Sequence, residues 1–121
     1  MTVELDHTIV PAHDKEASAE FLAGILGIPV GAPAGPFTPV QVGHGVTLDY
    51  DDRWEVVSHH YAFFVDDETF DGAYARLAEQ GVTIYADPGH RQAGEVNHRR
   101  GGRGLYFSDP NGHNMEIFTR R

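Results

Sequence analysis

The sequence predicts an α+β protein made of two tandem β-α-β-β-β modules. Three observations carry this expectation. One histidine-headed unit occurs twice along the chain. Each copy places a single helix-period stripe among runs suited to strands. The turn signals fall at equivalent places in both copies.

The repeat sets the frame for everything else. "HTIVPAHDKEASAEFLAGILGIPV" begins at His7, and "HYAFFVDDETFDGAYARLAEQGVTI" begins at His60. Each has a histidine, a short apolar run, an acidic residue, a helix-like segment, a glycine and another apolar run. His7 lies 20 residues before Gly27 and His60 lies 21 before Gly81, so a one-residue indel aligns them. The modules are assigned to residues 1–54 and 55–121.

In the first module, Val3 to Val10 reads as a strand. A helix follows, with Asp14 as its N-cap, Phe21, Leu22, Ile25 and Leu26 as its apolar stripe, and Gly27 as its left-handed stop. A short strand near Pro29 to Ala32 comes next. "FTPVQVG" and "GVTLDYDD" are then two strands joined through "GHG" at Gly43 to Gly45. In the second module "HYAFFV" is the first strand. Asp66 or Asp67 caps a helix whose stripe is Phe70, Ala73, Tyr74 and Leu77, and Gly81 ends it. "VTIYA", "GLYFSD" and "NMEIF" complete the module, the last two joined by the tight-turn sequence "DPNG".

Side-chain parity sorts the strand faces. Successive residues of a strand point to opposite faces, and one helix can cover only one face of its sheet. In the second module Tyr61, Phe63 and Val65 make the better lining for a helix, so His60 faces away from it and His59 is a bystander. Met115 and Ile117 suit the helix side of the last strand, which leaves Glu116 pointing the way His60 points. His7 has ambiguous parity on its own, and the repeat matches it to His60. His7, His60 and Glu116 are thus expected on the uncovered faces. Two histidines and one carboxylate suit a divalent first-row metal: Fe2+, Mn2+, Ni2+, Co2+ or Zn2+.

Composition narrows the function classes. The net charge of −9 argues against a nucleic-acid binder, which needs a basic footprint. The apolar runs are too short to cross a membrane, and "MTVELDHTIV" lacks the form of a signal peptide, so a cytoplasmic location is expected. With no cysteine, thiolate ligands and cysteine nucleophiles are excluded.

The tandem repeat, with "LDHTIV", "HHYAFFV" and "GLYFSDPNGHNMEIF", resembles the vicinal oxygen chelate superfamily, which includes glyoxalase I, extradiol dioxygenases, fosfomycin-resistance thiol transferases and bleomycin-resistance proteins. The resemblance covers almost the whole chain. It implies that the two sheets pair into a cup-like groove and that a metal there is held by His7, His60 and Glu116. It also implies a homodimer, with modules paired within or across chains. Glyoxalase-like members add a fourth ligand from the first module, and either Thr47 or Asp49 stands at that place. Asp49 is a candidate ligand or general base. Tyr106 matches a tyrosine that contacts substrate in the fosfomycin-resistance relatives.

The segment Asp87 to Gly104 is long for a loop inside a compact domain, and such loops are usually functional or disordered. It reads as a lid or rim, with His98 and Arg103 as candidate substrate contacts; a mobile loop or a dimer contact is the alternative. Two functions remain open. One is a metal-dependent lyase or isomerase, dioxygenase or thiol transferase whose small substrate chelates the metal through adjacent oxygens. The other is an antibiotic-binding protein without catalysis, as bleomycin-resistance proteins are.

Overall fold

A computed structural model describes residues 2–121. Its elements are β1 (His7–Pro11), α1 (Lys15–Leu26), β2 (Thr38–Val42), β3 (Val46–Asp51), β4 (His60–Phe64), α2 (Asp67–Glu79), β5 (Gly104–Ser108) and β6 (Asn114–Phe118). They form two three-stranded sheets, ordered β1-β3-β2 and β4-β6-β5. In each sheet the first strand runs parallel to the last, and the middle strand in sequence pairs antiparallel to it. The repeat in sequence is therefore a repeat in topology.

The helix ends follow from local chemistry. The Asp14 carboxylate accepts from the Ala17 N–H (3.1 Å), and Asp66 accepts from the Thr69 N–H (2.8 Å). Gly27 stops α1 at φ 75°. A side chain there would be strained by the backbone and would also collide with the Arg76 guanidinium, 2.9 Å from the Cβ position. That approach lets Arg76 Nε donate to the Ile25 carbonyl (2.9 Å), which ties α2 to the end of α1.

Two expected strands are not regular. Residues 29–32 form no strand; a single bond from the Gly31 N–H to the Pro39 carbonyl (2.9 Å) guides them past β2. Pro29 and Pro33 lack the N–H groups that a ladder needs. "VTIYA" keeps only one reciprocal pair, Tyr85 with Tyr106 (2.8 Å each way), before Pro88 and Gly89 turn it away. The helix stripes hold with one exception. Phe70, Ala73 and Leu77 are buried, but Tyr74 lies at the edge of the apolar arc and is exposed.

One continuous core spans both modules. Leu22 and Ile25 of α1 meet Phe70 and Leu77 of α2, with Val10, Leu48, Leu105, Phe107, Met115 and Ile117 closing it from the sheets. The modules thus pack helix side to helix side, and Phe21 of α1 lies against Phe107 of β5. The "DPNGH" turn bolts them together. Asn111 Oδ1 accepts from the His13 N–H (2.8 Å), and Asn111 Nδ2 donates to Ser18 Oγ (2.9 Å). The buried His113 donates from Nε2 to the Pro11 carbonyl (2.7 Å) and accepts at Nδ1 from the His59 N–H (3.0 Å). Among the described residues no helix is long and apolar enough to cross a membrane.

Candidate metal centre

Packing through the helices leaves the other face of each sheet open. On the second sheet, Cα pairing sets Glu116 beside both Ala62 of β4 and Tyr106 of β5. One pleat step away, His60 leans over the same face. Its Nε2 lies 3.1 Å from Glu116 Oε1, and its ring stacks on Tyr106 with centroids 5.9 Å apart. His59 faces the other way, against Tyr61 and His113.

The His60 tautomer is fixed by its surroundings. Nδ1 lies 2.9 Å from the Asn114 carbonyl, which can only accept, so Nδ1 carries the proton. Nε2 then presents a lone pair to a carboxylate oxygen, which is also an acceptor. Two acceptors at that separation need a shared cation between them, whether a proton or a metal. A histidine that donates through one nitrogen and offers the other is the usual arrangement of a metal ligand. Asn114 is itself held, since Asn114 Nδ2 donates to the Pro88 carbonyl (3.1 Å) and His90 Nε2 donates to Asn114 Oδ1 (2.8 Å).

His7 repeats this arrangement on the first sheet. Its Nδ1 lies 2.7 Å from Asp6 Oδ2, and its ring is exposed. The hydrogen bond to Asp6, and then the Asp6 charge, raise the His7 pKa. Nε2 is again the free nitrogen. His7 borders an open cavity of about 800 Å³ with Asp6, Gln41, Thr47 and Asp49. Both Thr47 and Asp49 line it, so the structure keeps both beside His7.

The structure brings His60 and Glu116 together and holds His7 apart. Among the described residues of one chain, no three ligand-type side chains converge. The resemblance leaves open whether modules pair within one chain or across two, and the described residues of one chain alone do not gather the three. Parity decides which face a helix covers, and it does not decide which sheets face each other.

Other expected site residues fall as follows. Tyr106 is buried on the open face, and its hydroxyl accepts from Arg99 Nη1 (2.9 Å). Burial pushes the phenol pKa up, and the hydrogen bond from Arg99 offsets part of that. His98 is exposed on the rim. Arg103 is committed elsewhere: its guanidinium binds Asp71 (2.6 Å) and Asp67 (3.1 Å) on α2 and lies over the Phe70 ring. The loop that carries them is a pinned rim. Asp87 accepts from the Arg91 and Gln92 N–H groups, and Asn97 exchanges backbone bonds with Gly104. Sequence reasoning passes over Asn114 and His113, because each gains its partner only through distant parts of the chain; it reads Arg91, Arg99, Arg100 and Arg103 as a cationic spot that could attract an anionic substrate.

Comparison with known proteins accords with the fold. The sequence model of the Glyoxalase/Bleomycin resistance protein/Dioxygenase superfamily matches residues 4–117. The chain belongs to this superfamily. Among solved structures it is similar to Oxidase ChaP-H2, at 56% identity and a TM-score of 0.97, covering 100% of this chain and 96% of that one. Oxidase ChaP-H1 follows at 52% identity and a TM-score of 0.96, covering 99% and 98%. A curated relative, Glutathione transferase FosA of Serratia marcescens, is 29% identical over 97% of this chain and 81% of its own length. The superfamily assignment accounts for the tandem β-α-β-β-β modules.

Proposed function

We propose that this chain is a divalent-metal-dependent oxidase of the glyoxalase/dioxygenase type, acting on a small substrate that chelates the metal through two adjacent oxygens. The observation that carries the reading is the His60–Glu116 pair, with Nε2 freed for a metal by the Nδ1 bond to Asn114. The likeness to ChaP-H2 over the full length of the chain supports the oxidase class.

The metal site is shared between two copies. His60 and Glu116 come from one, and His7 comes from the other. In support of this, the open faces of the two sheets carry separate cavities in one chain, and the helix sides that could have joined them are already spent on the common core. Two copies that set the open face of the first sheet of one against the open face of the second sheet of the other close both faces and form the cup. When bound, the metal supplies Lewis-acid activation of the chelated oxygens. The rest of the work falls to this chain's side chains. Tyr106, held by Arg99, presents a phenolic donor to a substrate oxygen beside Glu116. Asp49 brings a carboxylate from the facing module as a general base. His98 samples the substrate from the rim.

A mixing experiment tests this. His7→Ala and His60→Ala each lose bound metal. An equal mixture, unfolded and refolded together, regains about a quarter of the wild-type content, because only the mixed dimer has one intact site of two. Metal retained by His60→Ala would refute the ligand assignment. A mixture that stays metal-free would refute the shared site.

A further inference from the structure

A second cavity adjoins Glu116. It holds about 250 Å³ and is lined by Asn97, Arg99, Arg100, Arg103, Glu116, Phe118 and Arg120. Four of the nine basic residues of a chain with net charge −9 therefore border one small space. Arg103 is neutralised by Asp67 and Asp71. The other three are not: among the described residues no carboxylate lies within ion-pair distance of Arg99, Arg100 or Arg120. Arg99 spends one N–H on the Tyr106 hydroxyl, and Arg120 spends one on the Thr119 carbonyl. A guanidinium carries five N–H donors, so most remain free.

The backbone is shaped to gather these groups. Arg100 sits at φ 56°, a conformation that favours glycine and is strained for arginine, although glycines follow directly at 101 and 102. At Gly102 a Cβ would lie 2.6 Å from Arg120 Cγ, so only glycine lets the Arg120 stem pass. Strain and close approach together bring the three guanidinium groups to one cavity.

We infer that this cavity is an oxyanion subsite that receives a carboxylate of the substrate while adjacent oxygens of the same molecule occupy the metal. The inference rests on the metal-site reading above and narrows its substrate class to carboxylate-bearing chelators. Guanidinium forks match a carboxylate in shape and charge. A monoanion suits the place better than a phosphate dianion, because the Glu116 carboxylate borders the same space. Phe118 adds an apolar wall to the same space.

Two measurements decide it. In metal-free protein, benzoate shifts the side-chain N–H resonances of Arg99, Arg100 and Arg120 saturably, and the Arg100→Gly/Arg120→Gln double variant, which leaves the Arg99 bond to Tyr106 in place, loses most of the response. In zinc-loaded protein, protocatechuate binds about tenfold more tightly than its neutral amide, the size expected for one charge-assisted contact. The double variant loses that preference while its affinity for the amide stays the same. Arg100→Gly alone relieves the strained backbone, remains folded and shows part of the effect. Equal affinity for acid and amide in the wild type would overturn the subsite. So would a preference that survives the double variant, or variants that alter only the association of two copies. Failure to bind zinc would strike the metal reading alone, since the benzoate measurement still decides the subsite.

Discussion

His113 is a buried polar residue that spans the two modules, and its removal should unsettle the whole chain. It is fully buried, donating to the Pro11 carbonyl and accepting from the His59 N–H, with its ring 5.5 Å from Tyr61 in an edge-on contact. In His113→Ala the Pro11 carbonyl is left buried without a partner, which costs about 1–3 kcal/mol. The His59 amide is nearer to water and adds a smaller amount. Loss of the ring contacts and the space it filled adds roughly 1–3 kcal/mol more. The sum is about 2–6 kcal/mol, a large part of the ~5–15 kcal/mol that holds a domain of this size. Urea unfolding followed by both circular dichroism and Trp54 fluorescence measures it. The midpoint should fall strongly by both probes together. His113→Phe refills the space without the hydrogen bonds and should recover only part of the loss. A wild-type midpoint in His113→Ala, or full recovery by phenylalanine, would refute the bolt.

Three further outcomes follow from local geometry. The Asp51 carboxylate accepts from Arg53 Nε and Nη2 and from Trp54 Nε1, and the Arg53 hydrogen bonds chiefly hold its pKa down, to about 2 from an ordinary 3.8. A depressed carboxylate stabilises the fold fully above its unfolded pKa, so this contribution is lost as the pH falls from near 4 through 2; Asp51→Asn should flatten that part of an acid titration of Trp54 fluorescence. Arg103→Ala should lower stability by about 1 kcal/mol, through the lost Phe70 stacking and partly exposed ion pairs, and leave metal content unchanged. Gly102→Ala forces a Cβ to within 2.6 Å of Arg120 Cγ and 2.8 Å of Thr119 Oγ1 and should cost about 1–3 kcal/mol in thermal unfolding.

Much of this fold is legible in the sequence because it rests on local rules. Asp14 and Asp66 cap helices with their own side chains, and Gly27 and Gly81 adopt left-handed backbone where the helices stop. The face that Met115 and Ile117 give to the core fixes the opposite face for Glu116. What escaped the sequence depends on distant partners. Arg99 and Arg103 look alike in a string of arginines and glycines. Asp67 and Asp71 on α2 capture the second and leave the first to Tyr106. His113 reads as part of a tight turn until Pro11 and His59 are seen on either side of it. The expected strand at Pro29 to Ala32 failed because periodicity counts apolar residues, whereas pairing counts N–H groups.

The common core has a bearing on ancestry. Phe70 and Leu77 of one repeat lie in the same buried core as Leu22 and Ile25 of the other, so half of this chain would expose surface that its twin now helps to hide. A gene encoding a single repeat could give a stable protein only by borrowing that cover from a second molecule. In the tandem chain that cover is tethered, so the two halves meet at a fixed effective concentration instead of by diffusion, and the opposite faces of both sheets stay open.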